Sequence, residues 1–261
     1  MTFPVGFAPS SPVFPVLRNA RVLVTAGFAA SLLFGVSGCG SSTTGTTGAS
    51  DAGAQDPGIT APGEGAGVGS EVNTYGVAYP SDNLGYTPRA GTTSGNRIRN
   101  YKFLGYKNPK ESKELTTISL ADYFDPEMRE HKIIHLVASS VWCGPCQQET
   151  EEINKVADTL KAQKVVFVQA LIDGPKQGTG ATKSDLEKWT KGYGNPFPTM
   201  LDPNVKNLGE FFQAAAVPWN ANIDARSMEV LSASLGAPRD VTADVQKWVK
   251  WVDDNAPYAA K

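Results

Sequence analysis

The run Ser139-Ser140-Val141-Trp142-Cys143-Gly144-Pro145-Cys146-Gln147-Gln148-Glu149 joins two stretches of different periodicity. Upstream, Ile133-Ile134-His135-Leu136-Val137-Ala138 is a short β-rich apolar run, the pattern of a strand buried on both faces. Downstream of Pro145, Ile153, Val156, Ala157 and Leu160 recur at three- and four-residue spacing among Glu149, Glu151, Glu152 and Lys155, the pattern of an amphipathic helix. The two cysteines therefore stand where a strand ends and a helix begins.

That position has chemical consequences. The first turn of a helix presents unpaired N–H groups and the positive end of the dipole, which favour a thiolate at Cys143. A free cysteine titrates near ~8.5, and a helix N-terminus or a Cys-x-x-Cys setting can lower that to about 3.5–7.5. Cys146, one turn along, is expected to be the more buried sulfur and within reach of Cys143, so the pair can close a disulfide and reopen by exchange. Pro145 suits a first helical turn, where its missing N–H would be unpaired anyway. A zinc knuckle needs about four ligands, and only these cysteines with His131 and His135, both upstream, are on offer.

Trp142-Cys143-Gly144-Pro145-Cys146 resembles the active-site run of the thioredoxin superfamily. Glu149, three residues after the second cysteine, resembles the TlpA/ResA-like (redoxin) branch, whereas cytosolic thioredoxins carry a buried Asp six residues before the first cysteine, here Val137. The resemblance implies thiol-disulfide exchange with Cys143, Cys146 and Glu149 as catalytic residues, Glu149 helping to deprotonate Cys146. It also implies a substrate groove formed by Trp142, Val217 and a cis-proline at Pro218. Pro198 is the other candidate for that proline. As a plain helix residue, Glu149 would merely complement the dipole.

Residues 1–38 contain no Asp or Glu, carry Arg18 and Arg21, and run through Val22-Leu23-Val24 to Leu32-Leu33-Phe34, which reads as a secretory signal. The run closes with Val36-Ser37-Gly38-Cys39, resembling a bacterial lipobox with Val in place of the usual Leu, so that Cys39 is the expected site of lipid attachment. Without Arg18 and Arg21 the 24 basic against 26 acidic residues become 22 against 26, a net charge of −4 that invites no nucleic acid. Residues 39–74 form a Gly/Ser/Thr-rich tether; about 30 residues of such chain span roughly 30 Å on average.

Residues 75–261 are expected to form one α/β domain: a thioredoxin-like fold with a central mixed β-sheet flanked by helices and an added N-terminal β-hairpin, its strands in Arg97–Leu104 and Leu115–Leu120. Val165–Ile172 reads as a second buried strand, parallel to the first because a helix joins them. Gly174–Gly180 reads as a surface connection, since no Lys-Ser/Thr follows at Walker spacing. Ser184-Asp185-Leu186-Glu187 reads as a capping box. A short strand is expected at Phe197–Asp202, a helical segment at about 204–215, and a hairpin of Ile223-Asp224 with Met228–Leu231. Val241, Val245, Trp248, Val249 and Val252 mark a last amphipathic helix, with Trp248 and Trp251 as core and rim.

These features point to a lipid-anchored protein on the extracytoplasmic side of the cell envelope, exchanging disulfides with exported proteins as a reductant and recharged by a membrane electron-donor or oxidant protein. No metal or other cofactor is expected. Two other readings share parts of the pattern. A thiol peroxidase would carry Thr two or three residues before its cysteine, where Ser140 and Val141 stand. A Sco-like copper-binding chaperone would carry a Cys-x-x-x-Cys pair and a later His, and no His follows His135.

Overall fold

The computed structural model describes residues 70–81 and 92–256. The expected leader (1–38), Cys39 and most of the expected tether (39–74) lie outside the described residues.

Among the described residues, seven strands make a single sheet in the order β2-β1-β5-β4-β3-β6-β7. Its centre is β3 (Ile133–Ser140), buried at all eight positions, and β4 (Val165–Asp173). The two run parallel because α1 (Gly144–Lys161) carries the chain back between them. The next crossover, α2 (Lys183–Tyr193), brings β5 (Thr199–Leu201) parallel to β4 on its other side. Antiparallel strands complete both flanks: β6 (Trp219–Asp224) and β7 (Glu229–Leu235) beyond β3, and the hairpin of β1 (Lys102–Tyr106) and β2 (Thr116–Ser119) beyond β5. The strand order and mixed sense are those of a thioredoxin-like fold extended by an N-terminal hairpin.

The period-two alternation of β3 and β4 divides the core between two faces. Leu136, Val168 and Met200 join Phe103, Ile118 and Trp219 on one face, covered by the segment leading from β2 to β3 and by 3₁₀ turns. On the other, Ile133, Val137 and Phe167 meet Ile153 and Leu160 of α1 and Val245 and Val249 of α3 (Val241–Asp254). Helix α1 buries Cys146, Glu149, Thr150, Ile153, Ala157 and Leu160, a single stripe at helical spacing.

Three expectations need correction. The segment around 204–215 is not an α-helix but two 3₁₀ turns, Pro203–Val205 and Leu208–Glu210. Asp202 organises them by accepting from the Asn207 and Leu208 N–H groups, both at 2.9 Å. The cap of α2 lies two residues earlier than read: the Thr182 hydroxyl accepts from the Asp185 N–H and the Asp185 carboxylate accepts from the Thr182 N–H, so the box is Thr182/Asp185. Strand β6 begins at once after Pro218 rather than at Ile223. Within the hairpin, Gly105 passes so close to β5 that a Cβ there would lie 2.6 Å from the Met200 Cα and the Thr199 carbonyl oxygen.

Candidate active site

Cys143 is the N-cap of α1, and Cys146 lies in its first turn. The sulfurs are joined in a disulfide whose Cα atoms are 5.2 Å apart. The Cys143 Sγ accepts from the Cys146 N–H at 3.1 Å, the hydrogen bond that a thiolate there would strengthen. Both cysteines are buried, so the contrast in exposure expected between them is slight in the disulfide form. They sit in an apolar pocket with Tyr106, Leu171, Leu186, Trp189 and Leu201.

The lead-in to β6 faces this pair. The Val217–Pro218 peptide bond is cis, which assigns the cis-proline to Pro218 rather than Pro198, and the Cys143 Sγ lies 3.7 Å from the Val217 carbonyl oxygen. Trp142 is half-buried, and its indole N–H donates to Asp173 Oδ2 at 3.3 Å. That carboxylate also accepts from the Gly178 N–H at 3.0 Å, which folds the 174–180 loop back on the end of β4. Trp219, next to Pro218, points away from the groove; its indole stacks on Phe212 at 5.2 Å in the core of the opposite face.

Glu149, one turn after Cys146 on the buried stripe of α1, is 2% exposed. Neither carboxylate oxygen has a hydrogen-bond partner. Burial pushes its pKa up from 4.5 to about 7; the nearby Asn220 amide opposes this without making a full hydrogen bond. The structure thus gathers Trp142, Cys143, Cys146, Val217 and Pro218 at one end of the sheet, with Glu149 one turn deeper. Cys39 lies outside the described residues.

Sequence reasoning passed over the polar groups around this site. Gln169 of β4 uses all four of its hydrogen-bonding positions. Its Nε2 donates to Ser139 Oγ at 3.0 Å and Thr150 Oγ1 at 2.7 Å, and its Oε1 accepts from Trp189 Nε1 at 3.0 Å and Asn195 Nδ2 at 2.9 Å. Thr150 in turn donates to the Cys146 carbonyl at 2.8 Å, so the first turn of α1 is tied to β3, β4 and α2. Asn220 and Asn222 are the polar half of the alternating strand β6, which the sequence reading began only at Ile223, and nothing in that alternation says the polar half is buried.

A cavity of about 530 Å³ lies elsewhere, at the opposite ends of β3 and α1, between Lys107, Arg129, Lys161, Val166 and Phe197. Among the described residues no group of three or more His, Cys, Asp or Glu is gathered as a metal site, and no helix is long and apolar enough to cross a membrane.

No curated protein matches the chain. Several solved structures resemble it. One is a Chlorobium tepidum protein assigned as the thiol:disulfide interchange protein DsbE, with 18% identity, covering 62% of this chain and 99% of its own, at a TM-score of 0.48. Another is a DsbF homologue from Corynebacterium diphtheriae (22% identity, 67% and 97% coverage, TM-score 0.44). A third is a secreted thiol-disulfide isomerase from Corynebacterium glutamicum (16%, 68% and 99%, 0.44). Residues 102–219, from the first residue of β1 to the first of β6, match the model of the AhpC/TSA family. The match takes in the cysteine pair and Pro218, so that over the part of the sheet from β1 to the first residue of β6 this chain is similar to the AhpC/TSA family.

Proposed function

We propose that this protein reduces disulfides of exported proteins, working from a lipid anchor on the extracytoplasmic side of a membrane. The observation that carries the reading is the Cys143–Cys146 bridge at the start of α1, with the Cys143 Sγ 3.7 Å from the Val217 carbonyl oxygen. An extended substrate segment laid along residue 217 brings its own sulfur beside Cys143 and leaves main-chain groups to pair with it.

In the reduced protein the Cys143 thiolate attacks one sulfur of the substrate disulfide, forming a mixed disulfide and expelling the other sulfur as a thiolate. Cys146 then gives its proton to Glu149, and its thiolate attacks the Cys143 sulfur. This closes the Cys143–Cys146 bond and releases the second substrate thiolate. Two electrons pass to the substrate and leave the disulfide form seen here; a membrane electron donor restores the dithiol. A carboxyl group with a pKa of about 7 can both accept and return a proton near neutrality. In support of the location stand the acid-free leader with Arg18 and Arg21 and the Val36-Ser37-Gly38-Cys39 run.

The test is catalysed reduction of a model protein disulfide by the purified protein with dithiothreitol as electron source. Acceleration that Cys143→Ser abolishes is expected; no acceleration by the wild type contradicts the reading. The AhpC/TSA match also admits a thiol peroxidase, and consumption of hydrogen peroxide without disulfide exchange would favour it.

A further inference from the structure

The cavity of about 530 Å³ at the far end of α1 takes no part in the exchange scheme. Helix α1 has 18 residues, so about 27 Å of helix separates the cavity from Cys143. Its size falls within the range of roughly 300–1,000 Å³ that small-molecule sites occupy. The cavity exists because the sheet stops short there. The β4–β5 ladder begins at Gln169 and Thr199, and Pro196 and Pro198 bring no N–H with which to extend it. On that side the first residues of β4 therefore border open space instead of a neighbouring strand. Val166 and Phe167 with the Pro196-Phe197-Pro198 run give it an apolar lining, the two phenylalanine rings 6.0 Å apart.

The polar part of the lining leaves one cation available. Lys107, Arg129, Lys161 and Lys164 stand there against the carboxylates of Glu130 and Asp158. Lys107 already pairs with Asp122 at 3.0 Å and Arg129 with Glu127 at 2.6 Å. His131 adds no standing charge, since burial pulls its pKa down. Lys161, Glu130 and Asp158 are exposed, where water and salt screen them. Lys164 is half-buried, and its Nζ donates to the Met128 carbonyl at 2.7 Å. Among the described residues it has no carboxylate partner within 4 Å, so two of the three N–H groups of its ammonium are left for a ligand.

The backbone points to the same residue. Lys164 has φ +61° and Met128, its acceptor, φ +52°, both in the left-handed region that glycine fills without strain. The Leu160 and Lys161 carbonyls at the end of α1 accept from the Gln163 and Lys164 N–H groups, both at 2.9 Å. A glycine at 164 would close that turn as well. What lysine adds there is a positive charge at the cavity.

We propose that this cavity binds a small amphipathic carboxylate, its apolar body against Val166, Phe197 and the two prolines and its carboxylate on the Lys164 ammonium. One available ammonium matches a single negative charge, which favours a carboxylate over a phosphate dianion. The site is separate from the cysteine pair and does not depend on the function proposed above.

NMR titration of nitrogen-labelled protein with decanoate, and in parallel with decanol, tests this. Decanoate is expected to give saturable shifts in the amides of residues 157–167 and 196–198, and to bind more tightly than decanol by about tenfold or more, the size of one charge-assisted hydrogen bond. Lys164→Gly suits the positive φ and removes the ammonium; it is expected to fold and to lose the preference for decanoate. Lys164→Arg is expected to keep it. Shifts that do not saturate or that lie elsewhere, equal affinity for the two ligands, or wild-type decanoate binding by Lys164→Gly would each overturn the proposal.

Discussion

The Cys143 sulfur and the Val217 carbonyl oxygen lie 3.7 Å apart although 74 residues separate them in sequence. The contact joins the N-terminus of α1 to the start of β6, and it exists because β3 pairs with both β4 and β6: Ala138 lies opposite Trp219 in the ladder. The cysteines that leave β3 are thus brought beside the residues that enter β6.

The burial of Glu149 makes stability depend on pH in a definite direction. Its pKa is raised from 4.5 to about 7 on folding, so the folded protein keeps a proton that the unfolded chain has lost between those values. The stabilisation from that retained proton is complete below about pH 4.5 and is lost as pH rises through about 7. At 1.36 kcal/mol per unit the change is at most on the order of 3 kcal/mol. Urea melts should show Glu149→Gln gaining on the wild type from pH 4 to pH 8. A constant difference would mean that Glu149 is solvated in the native state.

In the exchange reaction the same substitution should act differently. Glu149→Gln retains the shape and removes the base, and turnover near neutrality is expected to fall by about 10²-fold, the lower range for a positioned acid-base group. Rates of model-disulfide reduction measured from pH 5 to pH 9 check this. A rate-versus-pH curve identical to that of the wild type would reduce Glu149 to a complement of the helix dipole.

Gln169→Leu should destabilise the domain by roughly 2–4 kcal/mol, because it leaves the buried Trp189 indole N–H without its acceptor and takes a donor from Ser139 and Thr150. Denaturant unfolding measures the loss. A change below about 0.5 kcal/mol, the scale of an ordinary surface substitution, would show that these groups find other partners.

Cys39→Ser should release the protein from membranes, since one residue is proposed to carry the acyl anchor. Fractionation of cells expressing the two forms reads this. A variant that stays with the membrane while its leader is cleaved contradicts the lipobox reading.

The sequence made the scaffold legible where periodicity and length agree. The apolar runs at 133–138 and 165–172 and the helical stripe after Pro145 gave the parallel pair, the crossover and the place of the cysteines. It did less well where tertiary contacts override local preference: residues 204–215 have a helix-like composition, yet the Asp202 carboxylate ties down two short turns there. The buried polar layer was invisible for another reason. His135 sits within an apolar run, and Asn220 and Asn222 alternate with Trp219, Ala221 and Ile223 as if one face of β6 met water. Only the packing of α1 and α3 over that face turns them into core.

The central claim is that Cys143 attacks and Cys146 resolves, and mass spectrometry of trapped intermediates tests it most directly. Reduced Cys146→Ser and Cys143→Ser proteins are each mixed with a disulfide-bonded peptide. Cys146→Ser should accumulate a stable mixed disulfide at Cys143, because the sulfur that would resolve it is gone, while Cys143→Ser should accumulate little. Equal trapping by both variants would contradict the assignment of the two sulfurs.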